Sequence, residues 1–139
     1  MHNYLKLLPV DVGVWRTILI AMAKKPPQIT GYHAHVYYDA DSKKTAARLR
    51  RRIGARFDTV LGRWHDDARG PHPVSFYQVA FEPELFAELV PWMALNREGL
   101  TILVHPETGD DYLDHSDFAM WLGDSLTLHL DQFRQRRSA

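Results

Sequence analysis

The spacing of apolar and polar positions predicts four β-strands and two longer helices between residues 31 and 106. Strands are expected over residues 32–38, 58–65, 74–81 and 100–105, where aromatic and β-branched residues lie between turn residues. Helices are expected over residues 43–57 and from Pro83 to about Asn96, where apolar residues recur at helical spacing. Pro91 should bend the second helix, and Gly99 should end it in a left-handed conformation.

The predicted order is strand, helix, strand, strand, helix, strand, which is the ferredoxin-like βαββαβ pattern of an α+β fold. This topology gives an antiparallel sheet in which the first strand lies between the third and the fourth, with both helices on one face. After residue 106 we expect a short helix that starts at Asp114 or Ser116 and runs through Trp121. The alternation of Leu126, Leu128 and Leu130 with polar residues predicts an additional edge strand.

The length of 139 residues is typical of one domain. We place the ferredoxin-like domain at residues 30–131 and a basic, disordered tail at residues 132–139. Residues 1–29 are interpreted as an N-terminal extension, either disordered or upstream of a natural start at Met22. Their apolar run, residues 15–23, is far shorter than the roughly 20 residues that span a bilayer, and no clear secretion signal precedes it. We therefore expect a cytoplasmic protein.

Composition limits the chemistry further. The chain has 17 basic and 17 acidic residues, so no overall charge favours nucleic acid or a membrane surface as partner. It has no cysteine, which excludes disulfides and thiolate metal sites. Any metal site must therefore use imidazole and carboxylate ligands, and the chain has eight histidines.

Three histidines are predicted to meet on the sheet. His33 and His35 are two positions apart on the first strand, about 6.6 Å at Cα, and share a face with Tyr37. His105 ends the fourth strand, beside the start of the first, and falls on the same face if Ile102 and Val104 pack against the helices. Three imidazoles on the face without helices favour an open site for Zn, Fe, Cu or Ni. The alternative is a dimer interface in which these histidines hydrogen-bond.

Further polar residues lie in the predicted loops. His72 and His115 are candidates for acid–base groups that act on a bound substrate, with plain surface residues as the alternative. Glu107, Asp110 and Asp114 are the candidates in sequence for a carboxylate that completes a set of two histidines and one carboxylate.

Several groups of residues match one family when they are taken together and in order. They are Tyr32–Tyr37, Gly70–Pro73, Pro91-Trp92 with Asn96-Arg97, Leu103–Pro106, and Asp114-His115 with Ala119 and Trp121–Gly123. Over residues 31–130 the chain resembles the DOPA 4,5-dioxygenase family of small fungal and bacterial proteins.

The resemblance implies extradiol cleavage of a catechol by non-haem Fe(II) and O₂, in which the ring opens beside its two hydroxyls. The substrate would be DOPA, caffeate or another catechol, and a purified sample would hold Fe(II) or another divalent metal such as Zn. The implied metal ligands are His33, His35 and His105, with His72 or His115 moving protons. Tyr37 and Trp64 would wall the substrate ring, and Arg97 would pair with a substrate carboxylate.

Two other classes of function remain open from the sequence. One is a non-catalytic, dimeric ferredoxin-like protein that binds a small aromatic ligand or a metal, since such folds dimerise through the open sheet face. The other is a cofactor-free isomerase or monooxygenase on the same scaffold. A homodimer is expected in either the catalytic or the non-catalytic case.

Overall fold

The computed structural model describes residues 12–22 and 25–139, which form five β-strands and five α-helices around one sheet. In chain order these elements are α1 Val12–Met22, β1 Tyr32–Tyr37, α2 Lys43–Arg56, β2 Val60–His65, β3 Phe76–Phe81, a 3₁₀ turn Pro83–Leu85, α3 Phe86–Asn96, β4 Ile102–Pro106, α4 Asp111–Asp114, β5 Met120–Leu122 and α5 Asp131–Ser138.

The sheet is antiparallel and has the strand order β2-β3-β1-β4-β5. This confirms the α+β fold and the position of β1 between β3 and β4. The register pairs His33 with His105 and His35 with Leu103 across β1 and β4. Directly paired residues point to the same side of a sheet, so these side chains share one face.

One face of the sheet packs against α2 and α3, as the alternation of apolar residues predicts. Ala34, Val36 and Val104 come from the strands and are fully buried against Leu49 and Ile53 of α2. The apolar residues of α2 fall on a single stripe, so the basic residues of this helix occupy its remaining surface. This layer is the main hydrophobic core, and its strand positions force His33, His35 and His105 onto the opposite face.

The opposite face, which was expected to be open, is covered by the C-terminal part of the same chain. Tyr37, Phe76 and Leu103 form a second buried cluster there, and Leu126 and Leu128 pack on it. The cover is held to the rest of the fold by backbone as well, since residue 129 donates its N–H to the carbonyl of residue 71 at 2.9 Å. The prediction of an uncovered face is therefore wrong for the part of the sheet where these residues lie, whereas the expected homodimer stays a prediction.

The elements after residue 106 differ from the predicted ones. The helix is α4, which ends at Asp114, and Trp121 lies in β5, where it pairs with Leu103. β4 otherwise has an unpaired edge, so the chain after α4 supplies a strand there instead of continuing the helix. Residues 126–130, all of which the structure describes, form no strand. Their alternating leucines point toward the sheet and pack on it. The sequence pattern alone does not distinguish such a packed segment from an edge strand.

The basic tail is helical. α5 spans Asp131–Ser138, and its Phe133 is buried. Arg136 and Arg137 pair with Asp111 and Asp110 at 3.3 and 3.4 Å. The prediction of a disordered tail is wrong because one aromatic side chain anchors this helix on the rest of the protein.

The N-terminal segment contains α1, whose side chains at Val14, Trp15, Ile18 and Leu19 are exposed. The expectation of disorder or of an upstream start covers residues 1–29, of which 1–11 and 23–24 lie outside the described residues. Within residues 12–22 and 25–139, no helix has the length and hydropathy needed to cross a membrane.

Candidate metal centre and active site

Five histidine side chains converge on the covered face of the sheet. β1 supplies two of them and β4 supplies one, while the other two come from the loop before β3 and from the residue after α4. The rings of His35 and His72 lie 4.0 Å apart, those of His105 and His115 4.1 Å, and those of His35 and His105 5.2 Å, measured between centroids. The fifth ring, His33, stands edge-on to His105 at 5.3 Å.

His33, His35 and His105 can offer one nitrogen each within 4.8 Å of one another. The Nε2 atoms of His35 and His105 are 3.1 Å apart. His105 donates from Nδ1 to the carbonyl of Pro106 at 2.9 Å, so a neutral His105 presents the lone pair of Nε2 to His35. The three nitrogens therefore have the spacing and the chemistry of a metal site.

The His35 ring has a buried nitrogen whose hydrogen-bonding capacity is not satisfied by the described residues. It is buried, and its Nδ1 has no hydrogen-bond partner among the described residues. If Nε2–H donates to His105, the Nδ1 lone pair is left unpaired; if Nδ1 carries the proton, two Nε2 lone pairs face each other. An unpaired buried polar atom costs roughly 1–3 kcal/mol. A cation that accepts a lone pair from His35 removes part of that cost, so the residues fit a bound metal.

His72 and His115 each have a hydrogen-bond partner outside the first set. The buried hydroxyl of Tyr37 lies 2.7 Å from Nδ1 of His72, and either group can donate, so this contact allows both tautomers of a neutral His72. His115 donates from Nδ1 to the carbonyl of Asp111 at 2.8 Å, which leaves the lone pair on Nε2. A second set of ligand atoms, from His35, His72 and His115, also lies within 4.8 Å. This second set therefore competes with the first as a possible group of metal ligands.

Burial keeps these imidazoles neutral. It lowers the pKa of His72 and His105 to about 3, and the neighbouring histidines lower it in the same direction. Burial also lowers the pKa of His33, His35 and His115. Neutral imidazole is the form that binds metals, so the cluster is ready to act as a ligand at physiological pH.

The site reaches solvent at His33. The His33 ring is 26% exposed, and its Nδ1 lies 3.0 Å from Oε1 of Glu107, a carboxylate whose pKa burial raises. A cleft of about 380 Å³ begins here and continues over Ala80 and Val60 on the same sheet face. The cleft therefore gives access to His33 from solvent along the part of the sheet that the C-terminal segment leaves uncovered.

The other carboxylates named from the sequence are already engaged. Asp114 is buried and accepts hydrogen bonds from the backbone N–H and the hydroxyl of Thr108. Asp110 caps α4 by accepting from the N–H of Leu113 at 3.1 Å. Glu107 is the carboxylate in contact with a histidine of the first set.

Comparison with known proteins decides the family. The family model described as the Dopa 4,5-dioxygenase family matches residues 32–132 of this chain. The chain belongs to this family. This confirms the resemblance inferred from the motifs, and the matched range holds all five clustered histidines.

Three similar proteins show how far the likeness extends. The DOPA 4,5-dioxygenase of Amanita muscaria is 35% identical over 112 residues, which cover 74% of this chain and 49% of that protein. An uncharacterised 21.2 kDa protein of Botryotinia fuckeliana is 33% identical over 123 residues, 78% of this chain and 67% of that protein. The chain thus spans about half of one curated relative and two thirds of the other. The crystal structure of a proposed dioxygenase from Nostoc punctiforme is 56% identical, with a TM-score of 0.76, covering 78% of this chain and 94% of that chain.

Two of the substrate residues implied by the family resemblance lie away from the histidines. Trp64 packs on the helix-covered face, against Tyr38 and Tyr77 at 5.2 and 4.9 Å between ring centroids. Its register partner is Tyr77, a core residue of that face, so Trp64 follows it there. Arg97 donates to the carbonyl of Leu100 at 3.0 Å, before the start of β4, whereas His105 is near its end. Tyr37 does reach the cluster, through His72.

Sequence reasoning missed two aromatic residues that enclose the cluster. Phe76 lies 4.2 Å from the ring of His72, and Phe133 lies 5.1 Å from that of His115. The alternation along β3 places Phe76 on the histidine face, so its position near the site could have been predicted from the sequence. Phe133 stands in a polar, basic stretch, and nothing in its surroundings marks it as a cover for the site.

Proposed function

We propose that the protein is a metal-dependent dioxygenase that opens the ring of a catechol, such as DOPA or caffeate, by extradiol cleavage. The observation that supports this most is the convergence of three neutral imidazoles beside two more that can take part in proton transfer. Membership of the Dopa 4,5-dioxygenase family and the likeness to a proposed dioxygenase support the reaction class.

His33, His35 and His105 are the proposed ligands of Fe(II). Three protein ligands leave open positions, as catalysis at a metal requires. Bound there, Fe(II) would supply the redox centre at which O₂ and the two catechol oxygens meet. The residues around it do the rest of the work, by binding, shielding and moving protons.

His115 and His72 have complementary roles in this proposal. Nε2 of His115 carries a lone pair, so it accepts a proton from a catechol hydroxyl as general base. In this proposal Tyr37 donates to Nδ1 of His72, so Nε2–H of His72 donates a hydrogen bond to a substrate oxygen later in the cycle. The carbonyl of Asp111 holds His115 in the tautomer that a base requires. An acid and a base of the same residue type are thus distinguished by their hydrogen-bond partners.

The aromatic cover keeps bulk water from the reacting atoms. Phe76 and Phe133 enclose the buried rings, while the cleft beside His33 stays open for the substrate. A site shielded from water strengthens each electrostatic interaction within it and limits side reactions with water. The geometry therefore suits a reaction that must control protons near a reactive ring.

The test is a reconstitution without oxygen. Purified protein is stripped with chelator, loaded with Fe(II) anaerobically, mixed with DOPA, caffeate or catechol, and then exposed to O₂. We expect consumption of a catechol and a yellow ring-opened product, identified by its mass as substrate plus both atoms of O₂. Zn(II)-loaded protein serves as the matched control and should give no product.

His115→Gln should retain the metal and slow the reaction, because it removes the base without removing a ligand. Failure of the Fe(II)-loaded wild type to consume any of the catechols would contradict the dioxygenase assignment. Ligand-dependent protection against heat without turnover would favour a non-catalytic binding protein instead.

A further inference from the structure

We propose that Glu107 is a positioning residue that fixes the orientation and tautomer of His33, so that His33 presents Nε2 to the metal. The inference rests on the metal-binding part of the proposed function and does not depend on ring cleavage. It gives a role to Glu107, the carboxylate that contacts a proposed ligand among the described residues, and it explains how the most exposed ligand is held in place.

The contact itself is short and directional. Nδ1 of His33 lies 3.0 Å from Oε1 of Glu107, whereas Nδ1 of His105 lies 3.8 Å away and already donates to the Pro106 carbonyl. The carboxylate can only accept, so the proton of a neutral His33 belongs on Nδ1. The remaining nitrogen, Nε2, then carries the lone pair that a metal requires.

The backbone holds Glu107 firmly in the place where it can do this. Its N–H donates to the carbonyl of Gly31 at 2.9 Å, and its own carbonyl accepts from the N–H and the hydroxyl of Thr30 at 3.0 and 3.1 Å. These bonds extend the β1–β4 register by one pair, so Gly31 lies opposite Glu107. The backbone therefore fixes the point from which the Glu107 side chain reaches His33.

His33 needs such a partner more than the other ligands do. His35 and His105 are enclosed by neighbouring rings, and their side chains are buried. His33 borders the cleft, and its contacts with His35 and His105 are edge-on. Histidine ligands commonly donate their other N–H to a carboxylate. Loss of such a partner typically lowers metal affinity or activity by roughly 10–100-fold.

The structure also defines the competing role for this carboxylate. One ligand atom each from His105, Glu107 and Asp114 lies within 4.8 Å of the others, so Glu107 would be a direct ligand in a different site. A direct ligand needs the negative charge, whereas a positioning residue needs an acceptor. Glu107→Gln keeps an acceptor, and Glu107→Ala removes it.

The experiment measures Zn(II) and anaerobic Fe(II) affinity by competition with a chromophoric chelator. We expect Glu107→Ala to lower affinity about 10–100-fold and Glu107→Gln to lose much less. In a His33→Ala background, Glu107→Ala should cause no further loss, because its effect passes through His33. Glu82→Gln is the matched control, since Glu82 lines the same cleft, and should bind like the wild type.

A second readout uses the metal-free protein. Nitrogen-15 NMR of the histidine rings should show His33 with its proton on Nδ1 in the wild type and in Glu107→Gln, and a mixture of tautomers in Glu107→Ala. The proposal is overturned by unchanged affinity in Glu107→Ala, by equal losses in both variants, or by additive losses with His33→Ala. These outcomes concern metal binding in the protein itself, so they are distinguishable from a failure to cleave catechols.

Discussion

Acidification should destabilise the metal-free protein well above the pH at which its carboxylates become protonated. The pKa of His72 and of His105 is about 3 in the folded protein, against an ordinary value of 6.5, because burial disfavours the charged rings. Between pH 6.5 and about 3, these two imidazoles bind protons in the unfolded chain but stay neutral in the folded chain. Stability is therefore full above pH 6.5 and falls as the pH decreases toward 3.

The loss of stability depends on how far the pH lies below the pKa of histidine in the unfolded chain. At pH 5.5, one unit below the unfolded pKa, each such imidazole removes about 1.4 kcal/mol from the free energy of unfolding. His72 and His105 together remove about 3 kcal/mol. The lowered pKa of the other three clustered histidines acts in the same direction. A loss of this size is a large fraction of the free energy of unfolding of a typical domain, which is roughly 5–15 kcal/mol.

The assay is urea unfolding of chelator-treated protein at pH 7.5, 6.5 and 5.5, followed by tryptophan fluorescence. His72→Gln keeps an acceptor for Tyr37 and cannot titrate, so it should reduce the loss between pH 7.5 and 5.5 by about 1.4 kcal/mol. His129→Gln changes an exposed histidine and is the matched control, which should behave like the wild type. An unfolding free energy that stays constant from pH 7.5 to 5.5 would refute the account of a neutral, buried cluster.

Two further substitutions separate the site from the scaffold. Tyr37→Phe removes the 2.7 Å hydrogen bond to His72, so we expect about 1–3 kcal/mol of lost stability in urea unfolding and a slower reaction, with metal affinity unchanged. Gly123→Ala introduces a Cβ 2.5 Å from Nη1 of Arg97 at a φ of +83°, which should lower stability by roughly 1–3 kcal/mol while metal content stays at the wild-type level. Loss of metal in either variant would show that the site extends further than the histidine cluster.

The sheet and the positions of its histidines were predictable because the period of two along a strand determines them. An alternation of period two decides which face each side chain takes, and antiparallel pairing of β1 with β4 places His33 opposite His105. The same alternation assigns Ala34 and Val36 to the helix-covered core. Local pattern and topology agree here, so the part of the site built on strands follows from the sequence.

The cover over the site was not predictable in the same way. Residues 126–133 pack on the sheet through a few apolar side chains without forming a strand, so their alternation suggested the wrong element. Trp64 shows a related limit, since a register shift between Leu61 and Trp64 interrupts β2. Gly62, within this irregular part, is the residue that could have indicated a bulge. Tertiary packing decides both cases, whereas the predictions used only local pattern.

The tautomers of the loop histidines also depend on distant contacts. His72 is hydrogen-bonded to Tyr37, 35 residues away in sequence, and the tautomer of His115 is set by the carbonyl of Asp111 in a short helix. A sequence can name such histidines as candidates for acid–base chemistry. It cannot say which one carries the proton on the nitrogen that faces the site.

The most direct test of the central claim is the metal stoichiometry of the wild type beside His33→Ala, His35→Ala, His105→Ala and His72→Ala, after loading with Fe(II) under anaerobic conditions. The account predicts one ion per wild-type chain, strong loss in the first three variants, and retention in His72→Ala. Full metal content in the three strand variants, or its loss only in His72→Ala, would contradict a centre built from β1 and β4.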